Sequence, residues 1–213
     1  MNWKQLISYK RLGKEDAHKL QLERRTEFQR DYDRLIFSAP FRRMQNKTQV
    51  FPLPGSIFVH NRLTHSLEVS SVGRSLGTDV ARELLSRHPD MADTDISAIG
   101  SIVSAACLAH DMGNPPFGHS GERAIRTFFS EGNGRKLRDF VTPGGDRLTD
   151  AEWADITNFD GNANTFRLLT HQFGGRRRGG FVMTYSTLAA VVKYPYSATL
   201  SGKHSKFGFF ESE

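Results

Sequence analysis

The stretch "DISAIGSIVSAACLAHDMGNPPFGHSGE", residues 95–122, decides how this chain is built. Ile96, Ile99, Val103 and Cys107 fall on one stripe at helical spacing, which predicts a helix over about 95–111. Pro115-Pro116 cannot continue that helix, because proline lacks an amide donor and its ring clashes with the preceding turn. Gly113-Asn114 supply a sharp turn, and Gly118 frees the backbone before a new helix over 119–130. His110 and Asp111 therefore end one helix. His119 and Glu122, three apart and on one face, begin the next.

Working outward, the same helical period fills the flanks. Upstream, Leu63, Leu67, Val72, Leu76, Val80 and Leu84 recur every four or five residues from His60 onward, which predicts a long helix. Before it, "KTQVFPLPGSIFVH" holds two β-prone runs, Thr48–Phe51 and Ser56–Val59, around "PLPG", a hairpin signal. Residues 15–37 read as a charged helix closed by Pro40, with Leu20, Phe28, Leu35 and Ile36 as inward positions. Downstream, "AEWADI", "NANTFRLLTHQF" and "YSTLAAVVKY", the last stopped by Pro195, are helical. The fold class expected is an all-α helical bundle with a small β-hairpin near 47–59.

Composition bounds the function classes. With 213 residues, 38% hydrophobic, the chain can bury one domain's core, and no apolar run approaches the roughly 18 residues of a membrane span. "MNWKQLISYKRLGKED" has no apolar signal-peptide core, and Cys107 is the single cysteine. A cytoplasmic protein without disulfides or thiolate metal sites is expected, with no membrane partner. The net charge of +6 and a pI near 9.6, with basic clusters at Arg24-Arg25, Arg42-Arg43 and Arg176-Arg177-Arg178, favour polyanionic partners, nucleotide phosphates or nucleic acid. Ordinary surface charge explains them equally.

The polar residues of the turn suit metal chemistry. Imidazole nitrogen with carboxylate oxygen and no thiolate fits a divalent ion such as Mg2+, Mn2+ or Fe2+. His65, in "HNRLTHSLEV", offers a further imidazole. Taken alone, His65 reads as a hydrogen-bonded helix histidine and His110-Asp111 as a polar helix end. Beside the helix start at 119, whose free amides and dipole attract anions, the set becomes a constellation for metal-assisted attack on a phosphate.

These residues carry a family resemblance. "RLTHSLEV" followed by "LAHDMGNPPFGHSGE" resembles the HD-domain metal-dependent phosphohydrolases, specifically the bacterial deoxyguanosine triphosphate triphosphohydrolases. "DYDRLIFSAPFRRMQNKTQVFPL", "DGNANTFRLLTHQ" and "TYSTLAAVVKYP" look like the other motifs of that family in the same order, over about residues 24–196. The resemblance implies an HD-type bundle that hydrolyses dGTP, or other dNTPs, at the α-phosphorus, giving deoxynucleoside and triphosphate. It implies metal ligation by His65, His110 and Asp111, and catalysis by His119 assisted by Glu122. Gln49 would read the deoxyribose, and Arg62 and Lys193 would contact phosphates. Asn162 and Asn164 serve equally as helix caps. A homo-oligomer is implied as well.

One departure bears on activity. The family completes its metal site with an aspartate well beyond the "KYP" motif, and "SATLSGKHSKFGFFESE" holds none. Residues 1–213 thus read as the N-terminal part of an HD-type domain with three of four ligands, expected to be weak or inactive alone. The alternatives are action on another nucleotide or phosphodiester, and a non-catalytic module for single-stranded DNA or assembly.

Overall fold

Two helices set the frame, α4 (Arg62–Arg87) and α5 (Ile99–Ala109), packed along each other in a computed structural model. The structure describes residues 3–15, 25–48, 60–92, 94–175, 178–200 and 206–213. α5 is apolar on nearly every side, as a helix surrounded by others must be, and buries Ile102, Ala105, Ala106, Leu108 and Ala109. The stripe read from sequence is its less buried side, since Ile99, Val103 and Cys107 are only half-buried.

On α4 the apolar residues that mark the helical period do not mark the buried face: Leu67, Val72, Leu76 and Val80 are exposed. The buried face is Arg62, Ser66, Ser70, Gly73, Gly77 and Ala81. Small residues let the two backbones approach. A Cβ on Gly77 would lie 3.0 Å from the Gly100 Cα, and one on Gly73 would lie 2.8 Å from the Cys107 sulfur. Where the helices touch through hydroxyls, Ser70 and Ser104 are hydrogen-bonded at 2.9 Å.

Around this pair stand α2 (Glu27–Ile36), α3 (Ala39–Arg43), α8 (Gly161–Thr170) and α9 (Tyr185–Val191). Their buried Leu35, Phe41, Leu169 and Leu188 join Leu108 and Met112 in the main core. Thr26 caps α2 with Gln29 reciprocating, so the described helix starts at 27; residues 16–24 of the expected helix lie outside the described residues. Pro40 does not merely close α2: it occupies the first turn of α3, where its missing N–H costs nothing. α1 (Trp3–Leu6), with Ile7, packs near the other end of α2.

α6 (His119–Ser130) and α7 (Asp150–Thr157) flank the far side, where Phe207 and Phe210 pack with Ala163 and Ala198. Among the described residues there is no sheet, only isolated bridges. The expected hairpin falls mainly on residues 49–59, outside the described residues. Its base is present as the antiparallel bridge between Thr48 and Asn61. The class is all-α, as expected.

Candidate metal centre

His65 stands on the first turn of α4, a helix whose start is fixed by Asn61, the cap accepting from the Thr64 amide. His110 and Asp111 follow α5. The three converge: one ligand atom from each lies within 4.8 Å of the others, and the two imidazole centroids are 5.4 Å apart. His110 Nδ1 lies 2.6 Å from the Cys107 carbonyl oxygen, which can only accept, so Nδ1 carries the proton there and Nε2 is left as the ligating nitrogen. The donor set, two imidazoles and a carboxylate without thiolate, fits a divalent cation of the Mg2+, Mn2+ or Fe2+ kind.

Asp111 is buried and accepts from both sides. Arg62 Nη1 reaches its Oδ2 at 2.6 Å, and Asn114 Nδ2 reaches its Oδ1 at 2.5 Å. Arg62, expected to meet phosphate, is thus itself buried and committed to Asp111, with its Nε buried and without a partner among the described residues. Its other terminal nitrogen sits against the Gly118 Cα, where an added Cβ would lie 2.8 Å away. Gly118 also holds φ +53°, and its neighbour Phe117, exposed, holds φ +64°. A phenylalanine in left-handed backbone is costly, so surrounding structure must impose that bend just before His119.

α8 braces the turn from behind. Thr165 Oγ1 accepts from the Gly113 amide, and Asn164 Nδ2 donates to the Gly113 carbonyl. Gly113 must be glycine, because a Cβ would fall 2.1 Å from the Thr165 nitrogen. Asn164 therefore holds the turn, while the cap of α8 is Asp160, which accepts from the Asn162 amide. From the opposite side Lys47 Nζ donates to the Met112 and Asn114 carbonyls, at 3.1 and 2.8 Å. Burial, then the neighbouring Arg62 guanidinium, hold the Lys47 ammonium pKa below its ordinary value, with Asp111 opposing. Lys47 stands in a quoted motif, yet its type and spacing carry no signal for contacts 65 and 67 positions away.

His119 is exposed at the first position of α6. Glu122 is buried and otherwise engaged than the sequence suggests: its oxygens accept from the Gly161 amide at 2.9 Å and from Lys206 Nζ at 3.2 Å. Burial pushes its pKa up, but the Gly161 amide and the Lys206 ammonium, with a smaller effect of His119, outweigh it and hold the carboxyl below its ordinary value. Lys193 is exposed beyond α9, its ammonium 5.5 Å from the Tyr194 ring centroid. No contact among the described residues ties it to the histidines. Gln49 lies outside the described residues. The basic clusters are scattered: Arg25 precedes α2 and pairs with Asp33, Arg42-Arg43 end α3, and Arg24, Arg176 and Arg177 lie outside the described residues. No described helix is long and apolar enough to cross a membrane.

Residues 62–161, the span from Arg62 to the start of α8, match the HD domain. A deoxyguanosinetriphosphate triphosphohydrolase-like protein of Synechocystis sp. is 48% identical over the whole of this chain and 49% of its own length. One of Pseudomonas aeruginosa is 46% identical over the whole chain and 47% of its own length. A deoxyguanosinetriphosphate triphosphohydrolase of Yersinia enterocolitica is 37% identical over 95% of the chain and 43% of its own. The chain spans about half the length of these relatives.

Proposed function

We propose that this chain, which matches the HD domain over residues 62–161 and is akin along its length to the deoxyguanosinetriphosphate triphosphohydrolase-like proteins, serves the hydrolysis of dGTP, or another deoxynucleoside triphosphate, to deoxynucleoside and triphosphate. The observation that carries the reading is the convergence of His65, His110 and Asp111 on one point, with His119 at the helix start that follows the same turn. His65 through one ring nitrogen, His110 through Nε2 and Asp111 through its carboxylate would hold a divalent ion. When bound, that ion supplies electrostatic stabilisation of charge building on phosphate oxygens.

The protein's own groups supply the rest. Arg62 and Asn114 hold Asp111 in place from either side. Arg62, one terminal nitrogen on Asp111 and the other beside Gly118, ties the ligand carboxylate to the bend that precedes His119. His119, exposed at the first position of α6, would hand a proton to a leaving 5′-oxygen or take one from attacking water. Glu122 steadies the start of α6 against α8 through the Gly161 amide.

Product analysis tests the reading. The chain, and a protein extended to the relatives' length, are incubated with dGTP and Mn2+ or Mg2+. Deoxyguanosine with intact triphosphate is expected from the extended protein. Release of pyrophosphate or single phosphate would assign another phosphohydrolase reaction. His119→Ala should cut turnover by about 10²–10⁴ while keeping metal binding, the range usual for a general acid or base. Asp111→Ala should lose metal and turnover together.

A further inference from the structure

We infer that Lys47 is a positioning residue of the metal centre, tying the ligand-bearing turn at 110–114 to the start of α4 and so setting the separation of His65 from the His110–Asp111 pair. The metal part of this inference rests on the reading above; the tie itself does not. Lys47 is anchored at both ends. Its own carbonyl accepts from the Arg62 amide at 3.0 Å, and the next residue, Thr48, bridges to Asn61, so its main chain is pinned to the helix start that bears His65. Its side chain then crosses to the Met112 and Asn114 carbonyls. Those carbonyls belong to the turn that follows α5.

The chemistry of this tie differs from the others at the site. α8 holds the same turn through Thr165 and Asn164, but α8 carries none of the three ligands. Arg62 joins α4 to the turn through Asp111, yet a bound ion would share that carboxylate with it. Lys47 grips main-chain carbonyls, which stay available whatever Asp111 coordinates. Without it the turn remains fastened to α8 and loses a fixed distance to α4. The helix contacts at Ser70–Ser104 and Gly77–Gly100 stand further along and set the crossing rather than the turn.

The test uses Lys47→Met, which keeps the aliphatic stem and removes the donors, and Lys47→Arg, which restores donors. Two quantities are read: hydrogen exchange of the amides at 112–114, and the Mn2+ dissociation constant from the spin-resonance signal of free Mn2+. Lys47→Met should speed exchange in the turn by tenfold or more with exchange elsewhere in α4 and α5 unchanged. It should weaken Mn2+ binding by about 10–100-fold, the usual cost of losing a residue that orients ligands. Lys47→Arg should recover most of both. Wild-type exchange and affinity in Lys47→Met overturn the inference, as do acceleration spread evenly over the chain and failure of Lys47→Arg to recover either quantity. If the wild-type protein takes up no Mn2+, the metal reading falls; acceleration confined to the turn in Lys47→Met still upholds the tie, and its absence overturns it.

Discussion

Asp111 is a buried carboxylate whose charge must be balanced before any ion arrives. Arg62 does this from 2.6 Å with a guanidinium that is itself nearly covered. Removing one member of such a pair strands the other in a poor solvent. Arg62→Leu should therefore cost about 3–5 kcal/mol of stability, read from urea unfolding, and Mn2+ should restore part of it by supplying the missing positive charge. Wild-type stability of Arg62→Leu without metal would mean that Arg62 is not the balancing group. The pairing is not legible in the sequence. His65, His110 and Asp111 stand out by type and by the proline-glycine turn between helices, whereas Arg62 and Asp111 are 49 positions apart and an arginine near a helix start suits solvent, phosphate or carboxylate equally. Glu122 departs from its expected role for a related reason: spacing puts it on the face of His119, but Gly161 and Lys206, distant in sequence, claim its oxygens.

At the scale of elements, the helical period is readable in the sequence and the buried face of α4 is not. A burial signal in sequence is an apolar stripe, and α4 buries a stripe of Ser, Gly and Ala because α5 comes too close for larger side chains. The two faces make opposite predictions. Gly77→Val puts a branched side chain where a single Cβ already lies 3.0 Å from the Gly100 Cα and 3.2 Å from the Ile99 oxygen. It should cost at least about 1–3 kcal/mol and loosen the approach of His65 to His110. Val72→Ser on the exposed stripe should stay within about 0.5 kcal/mol. Thermal melts of the two variants decide it, and a reversal of their order would return the buried face to the leucine-valine stripe. The hairpin signal around "PLPG" meets the structure only at its base, the bridge between Thr48 and Asn61, since residues 49–59 lie outside the described residues.

For the molecule as a whole, acid should act through the junction of α6, α8 and the segment at 206–210. Phe207 and Phe210 bury that segment against Ala163 and bring Lys206 to Glu122 and Asp160, at 3.2 and 3.5 Å. Burial alone would raise the Glu122 pKa. The Gly161 amide and Lys206 together reverse the sign, so the native carboxyl titrates below its unfolded value of about 4.3. A depressed acid stabilises the fold fully above the unfolded pKa and loses that contribution as pH falls through the native one. Glu122→Gln keeps an oxygen for the Gly161 amide and removes only the charge facing Lys206. It should be less stable than wild type near neutrality. The gap should close as both are acidified from roughly pH 5 to below the native pKa, the window in which wild-type Glu122 takes up its proton. Urea midpoints of the two proteins across that range give the measurement. A gap that stays constant with pH would show that the shape of the side chain, and not its charge, holds α6 to α8.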